Sequence, residues 1–296
     1  MNHMATDPGP RILVTGASSG IGLATAEQLA AGGAEVIMVS RHRARGATAH
    51  RRVAALATGA EPVFLSADLS SQASIRALST LLHERFNSID VLINNAVTAS
   101  PRRELTVDGI EMTFATNHLG SFLLTHLVFD LLSAAPAARV ISTTSESHSQ
   151  RLDFDNLQGE RKYTFFSAYA RSKLANILFT YELARRLAGS RITANCFTPG
   201  PSATTFGRGA GGAMGVLSGL VRLVGRSAES GARTAVYLAT SPEMAEATGL
   251  YFFHGKAARS KPVTYDPELA ARLWVISEKL THPSREITQR SLEVMP

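Results

Sequence analysis

RILVTGASSGIG, residues 11–22, sets the reading of the whole chain. An apolar run of strand length at 12–14 is followed at once by Thr15-Gly16-Ala17-Ser18-Ser19-Gly20-Ile21-Gly22, and apolar residues at helical spacing run on from Ile21 to Leu29. A glycine-rich turn that leaves a strand and opens a helix carries meaning that a lone glycine triplet lacks. Gly16 allows the tight turn, Gly20 lets backbone approach a ligand, and Gly22 lets the helix pack on the sheet. Free N–H groups at the start of a helix, with the positive end of its dipole, suit a pyrophosphate. The plain alternative is an ordinary strand-to-helix turn. The context favours a dinucleotide site lined by Gly16, Ser18, Ser19, Gly20 and Ile21.

Outward from this turn the pattern repeats. Strand-length apolar runs recur at 36–39, 63–65, 91–93, 140–141, 192–197 and 250–253. Helix-spaced segments lie between them, for example at 75–82, 114–132, 174–187 and 232–238. Strand and helix alternating in this way predict an α/β fold, a doubly wound and mainly parallel sheet of about seven strands with helices on both faces. No composition shift, linker or repeat divides the chain. The expected organisation is a flexible N-terminus at 1–10, a single domain at 11–296, and a C-terminal helical tail from about residue 267. Two long connections stand out, 146–164 and 201–226, and loops of that length in a compact domain usually have a function. The second combines many glycines with apolar side chains. It reads as a substrate loop closing over an apolar ligand, with a dimer surface or a membrane-touching patch as open alternatives.

Composition narrows the classes. The chain has 296 residues, 45% apolar and 18% charged, which excludes a disordered, collagen-like or coiled-coil protein. A single cysteine excludes a disulfide-stapled scaffold. No stretch approaches the length of a membrane helix, so no transmembrane anchor is expected. The first ten residues lack a basic and an apolar region, and a cytoplasmic location is the expectation. The net charge of +6 raises the question of nucleic acid. The basic residues are scattered, and the densest cluster, Arg41 to Arg52, has no aromatic residue interleaved for stacking, so no nucleic-acid partner is expected. No His, Cys or acidic grouping has the spacing of a metal site.

Two further constellations carry chemistry. At the end of the second strand, where an acid would hold a ribose 2′-hydroxyl, stands Ser40-Arg41-His42-Arg43, and no Asp or Glu occurs from 36 to 60. A guanidinium at Arg41 can hold a 2′-phosphate, which points to NADP(H). Arg45, Arg51 and Arg52 read as a solvated helix face. The second constellation is Tyr169-Ala-Arg-Ser-Lys173, whose i, i+4 spacing puts both side chains on one helix face. An ammonium beside a phenol lowers the tyrosine pKa toward neutrality. By itself the spacing is common by chance, but the fifth strand ends in Ser142-Thr143-Thr144-Ser145, where open α/β sheets bind ligands.

With these pieces in place the chain resembles the short-chain dehydrogenase/reductase family over nearly its whole length. The matching motifs fall in family order: TGASSGIG at 15–22, Asp68-Leu69, Asn94-Asn95-Ala96, Asn117, Ser145, Tyr169 with Lys173, and Pro199-Gly200. Asn117-His-Leu-Gly, Asn156-Leu-Gln-Gly-Glu160 and the segment from Ser172 to Leu178 are similar to its retinol-dehydrogenase-like branch. The resemblance implies Tyr169 as general acid/base, Lys173 as its partner and a ribose ligand, and Ser145 as a hydrogen bond to the substrate oxygen, with Thr144 as the fallback. Asn117 would support a relay water. Asp68 and Leu69 would flank the adenine, Asn95 and Ala96 the adenosine ribose, and Pro199 and Gly200 the nicotinamide, with Thr204 contacting its amide or a phosphate. Asp68 could instead cap the next helix, and Asn117 could be a surface amide. Val97 departs from the family, which usually has glycine there, and His148 reads as structural. The function implied is an NADP(H)-dependent interconversion of carbonyl and alcohol on an apolar small molecule. The alternative is a non-catalytic NADP-binding protein of the same fold. A homo-oligomer is left open.

Overall fold

The computed structural model describes residues 9–200 and 228–281. Its strands are β1 (Arg11–Thr15), β2 (Glu35–Ser40), β3 (Val63–Ser66), β4 (Val91–Asn94), β5 (Ala138–Thr143), β6 (Ile192–Thr198), β7 (Tyr251–Phe253) and β8 (Lys256–Ala258). They form one sheet in the order β3-β2-β1-β4-β5-β6-β7-β8. The first seven are parallel, and β8 runs antiparallel to β7. The eighth strand is the one departure from the seven expected. Phe253 pairs with Lys256 across His254 and Gly255, whose φ values are +53° and +74°. Two central residues at positive φ make a hairpin of the kind that asparagine–glycine usually announces. Here histidine fills the first place, so the signal was hidden.

The helices are α1 (Gly20–Ala31), α2 (Arg43–Ala54), α3 (Gln72–Arg85), α4 (Met112–Phe114), α5 (Gly120–Leu127), α6 (Phe129–Ser133), α7 (Phe165–Arg186), α8 (Ala228–Thr240) and α9 (Pro267–Thr281). The sheet is apolar on both faces because successive side chains alternate. Ile12 and Val14 of β1 and Val36 and Met38 of β2 pack with Leu23, Ala26, Val53 and Leu238 of α1, α2 and α8. Leu13, Ile37 and Val39 face the other way, onto Leu78, Phe122, Leu132, Phe179 and Trp274 of α3, α5, α6, α7 and α9. None of the described helices is long and apolar enough to cross a membrane.

The apolar pattern at 114–132 predicts one helix, and the structure breaks it. A π-helical turn over Ala115–Leu119 separates α4 from α5, and Val128 interrupts the chain before α6. A π-turn inside a helix re-aims the side chains around it and often marks a functional position. Asn117 lies in it. Strand order reverses between β1 and β4, so the carboxyl ends of those strands open a crevice at a switch point.

Candidate active site

The turn after β1 and the turn after β4 are bolted together across that crevice. Thr15 Oγ1 donates to the Ile93 carbonyl (3.2 Å) and accepts from the N–H groups of Asn95 (2.9 Å) and Ala96 (3.0 Å). Asn95 Nδ2 donates to the Thr15 carbonyl at 2.9 Å. Gly16 has φ +69°, and a Cβ there would stand 2.9 Å from Ala96 Cα. A Cβ on Gly22 would lie 2.4 Å from the Gly16 carbonyl oxygen and equally close to Asn95 Nδ2. These glycines are therefore required by close approach of backbone to backbone. Ser19 stands at the N-cap of α1 without a side-chain cap bond, and the first turn contains no acid. The positive end of α1 is left for an anion, and the cradle fits a pyrophosphate.

Arg41 follows β2 directly and is about half exposed, with Nη1 3.9 Å from Asp68 Oδ2. Asp68 Oδ1 accepts from the Ser70 N–H (2.9 Å) and hydroxyl (2.7 Å), shaping the turn before α3. The N-cap of α3 is Ser71, and Asp68 supports it by accepting the Ser71 N–H at its carbonyl and donating its own N–H to Ser74 Oγ. The Leu69 side chain packs into the core on the α3 face of the sheet. Ser18 lines a cavity of about 320 Å³ with Leu23, Ala44, Arg45, Thr48, Ala49 and Arg52. Arg45, Arg51 and Arg52 are exposed, as a solvated helix face would be, and Arg52 pairs with Glu27 at 2.6 Å. The spacing 45, 48, 49, 52 is one face of α2. Gly200, just past β6, has φ +73° and lies close to the His254 ring. Thr204 and the 201–226 segment lie outside the described residues.

The second half of the crevice is built by β5 and α7. Thr164 and Ser167 form a reciprocal capping box that starts α7. One turn in, Tyr169 and Lys173 follow on one face. The Ser145 side chain, two residues beyond β5, lies near enough to the Tyr169 phenol to pull its pKa down. Ser145 Oγ also accepts the Ser147 N–H at 3.2 Å, leaving its own proton to donate. Thr144 is turned away, its hydroxyl donating to the Lys173 carbonyl at 3.0 Å. The structure therefore places Ser145, not Thr144, against Tyr169. Lys173 Nζ is buried, 5.7 Å from the Tyr169 ring centroid, and donates to the Thr143 carbonyl at 3.0 Å.

Asn117 is fully buried, which corrects the surface-amide alternative. Its Oδ1 accepts the Thr98 N–H (2.7 Å), and its Nδ2 donates to the Thr98 carbonyl (2.9 Å) and to Ser172 Oγ (3.0 Å). The side chain braces the segment after β4 against α7, one residue before Lys173.

The electrostatics differ from the expectation. Burial pushes the Lys173 ammonium down to about 7. Burial also raises the Tyr169 phenol, and the Ser145 side chain only partly opposes it. In the free protein Tyr169 is protonated at neutral pH, and Lys173 does not depress it.

A sheet that reverses its strand order binds nucleotides in the crevice so formed, and residues 10–211 match the family model described as short chain dehydrogenase. The chain belongs to that family of oxidoreductases. It is 38% identical over 283 residues to Retinol dehydrogenase 13 of Homo sapiens, covering 93% of this chain and 86% of the human protein. It is 40% identical over 285 residues to Retinol dehydrogenase 14 of Mus musculus, covering 91% and 85%. These relatives put it in the retinol-dehydrogenase-like branch. Among solved structures, an uncharacterized protein from Mycobacterium paratuberculosis superposes with a TM-score of 0.73 at 32% identity, over 92% of this chain and 93% of that one. A short chain dehydrogenase from Burkholderia cenocepacia, solved in complex with NADP, gives a TM-score of 0.65 at 28% identity, over 82% and 95%.

Proposed function

We propose that the protein is an NADP(H)-dependent oxidoreductase that interconverts a carbonyl and an alcohol on an apolar small molecule, with Tyr169 as general acid/base. The observation that carries this reading is the Ser145 side chain beside the Tyr169 phenol at the carboxyl end of β5, with Lys173 buried one helical turn away. The cradle from Gly16 to Ile21 would hold the pyrophosphate, Asn95 and Ala96 would border the adenosine ribose, and Pro199 and Gly200 the nicotinamide. Arg41 would hold a 2′-phosphate. A nicotinamide bound there supplies or accepts the hydride.

The chain's own residues handle the proton. Tyr169 is protonated in the free protein, so it can donate to a carbonyl oxygen as that oxygen gains charge. Ser145 accepts from Ser147 and turns its proton toward the same oxygen, a donor set before the reaction. Lys173, buried one helical turn away, would hold the nicotinamide ribose hydroxyls. An apolar substrate is supported by Val97, which follows Ala96 and is 45% exposed. The relatives named as retinol dehydrogenases point to the same substrate class.

Spectrophotometric NADPH oxidation against panels of aldehydes, ketones and quinones tests the reading. Turnover of apolar carbonyls that vanishes in Tyr169→Phe is the expected result. Tight NADPH binding with no turnover across all three panels would replace it with the non-catalytic binder.

A further inference from the structure

Ser145 must keep its hydroxyl against Tyr169, yet it lies outside β5 at the head of a long connection. What holds it is His148, which is 3% exposed. The Ser145 carbonyl accepts two bonds from this residue, from its backbone N–H (3.1 Å) and from its ring Nδ1 (2.7 Å). The ring's other nitrogen, Nε2, faces the backbone N–H of Lys261 at 3.3 Å. A backbone N–H can only donate and a carbonyl can only accept. Nε2 is therefore the bare nitrogen, and Nδ1 carries the proton. One tautomer satisfies both partners, and the other satisfies neither.

The clamp has further anchors. The Lys261 ammonium donates to the His148 carbonyl. Lys261 leads into the turn at Pro262–Tyr265 that precedes α9. On the other side the Ser149 N–H donates to the Ala170 carbonyl of α7 (2.9 Å), next to Tyr169 in the chain. Burial first, then the neighbouring Lys261 charge, hold the His148 pKa below its ordinary value, although the bond to Ser145 opposes them. The ring stays neutral, as the Lys261 N–H requires.

We propose that His148, as its Nδ1–H tautomer, is a positioning residue that ties the Ser145 carbonyl to the Lys261 backbone and so fixes the Ser145 hydroxyl against Tyr169. The proposal rests on the carbonyl–alcohol reading for its kinetic consequence, but not for its geometry. A histidine buried only for packing needs no particular tautomer and no particular partner at Ser145.

Two measurements test it. In the free parent protein, long-range proton–nitrogen NMR, with His148 assigned by its loss in His148→Asn, should show the proton on Nδ1. In steady-state kinetics with NADPH and the best carbonyl from the panel, His148→Leu should lower kcat by about 10- to 100-fold, the scale of a small misplacement at a reacting centre. Its NADPH dissociation constant should stay within about twofold, because the cradle is untouched. His148→Asn keeps a donor near the Nδ1 position and should recover most of kcat. A proton on Nε2 would overturn the proposal, as would a folded His148→Leu with parental kcat. If His148→Leu does not fold, the tautomer and His148→Asn decide alone. A parent protein that turns over no carbonyl would sink the function reading and leave the tautomer to judge the clamp.

Discussion

The two halves of the crevice are made of different materials. Around β1 and α1 the site is backbone: glycines at positive φ, uncapped N–H groups, and a threonine bolt between neighbouring turns. Around β5 and α7 it is side chains, buried and bonded to partners far away in sequence. A backbone cradle tolerates only substitutions that add no atoms. A side-chain cluster can keep its shape and lose all of its chemistry. The same kind of mutation should therefore fail in opposite ways on the two sides.

The sharpest contrast is Tyr169→Phe, which removes one oxygen and nothing else. Turnover should fall by about 100- to 10,000-fold, the usual range for a lost general acid, while fluorescence titration shows NADPH bound almost as in the parent. Substantial carbonyl reduction by the variant would dissolve the contrast. Gly22→Ala should do the reverse. Its new Cβ meets backbone at Gly16, and cores over-packed in this way lose about 1–3 kcal/mol. The urea midpoint should drop and NADPH binding weaken before any chemistry is affected. A midpoint equal to the parent's would show that the cradle can give.

Lys173→Met separates stability from function on the catalytic side. In the folded chain the ammonium pKa is near 7, against 10.5 for an ordinary lysine, the difference coming from burial. Between those values the unfolded chain binds more protons, so the parent gains stability as pH rises from about 7 toward 10.5. The variant lacks that slope. It should be more stable than the parent at pH 7, by on the order of 1–3 kcal/mol, and should have lost turnover and some NADPH affinity. Urea titrations at pH 7 and pH 10 check the sign, and equal gains at both would refute it. The smallest effect is expected at Arg41→Ala. NADPH should bind the parent at least about tenfold tighter than NADH, a charge-assisted contact of about 1–3 kcal/mol, and the variant should lose most of that preference. Equal affinity in the parent would remove Arg41 from the site.

The contrast also explains what could be read in advance. The cradle was legible because backbone geometry demands glycine at fixed spacings, and Gly16, Gly20 and Gly22 are local signals. Seven strands were legible because residues such as Leu13 and Ile37 must be apolar to be buried on either face. Tyr169 and Lys173 were legible as a spacing only. Ser145 rather than Thr144 came from the resemblance, whereas the bracing of Thr98 to Ser172 by Asn117 and the raised phenol depend on contacts between distant segments. The solvated face of α2 was legible because Arg45, Arg51 and Arg52 fall at helical spacing and all three are exposed. The break at Ala115–Leu119 was invisible because a π-turn keeps the apolar composition of the helix it interrupts.

The short hairpin strand β8 has a bearing on self-association. Its three residues are all exposed and include Lys256, and the strand covers the hydrogen-bonding edge that β7 would otherwise present. At the opposite edge of the sheet β3 spans only Val63–Ser66. Long, flat, uncharged edges recruit further strands, and proteins blunt them with brevity and lysine. Among the described residues, neither end of this sheet offers a second copy of the chain a long row of free peptide groups to extend.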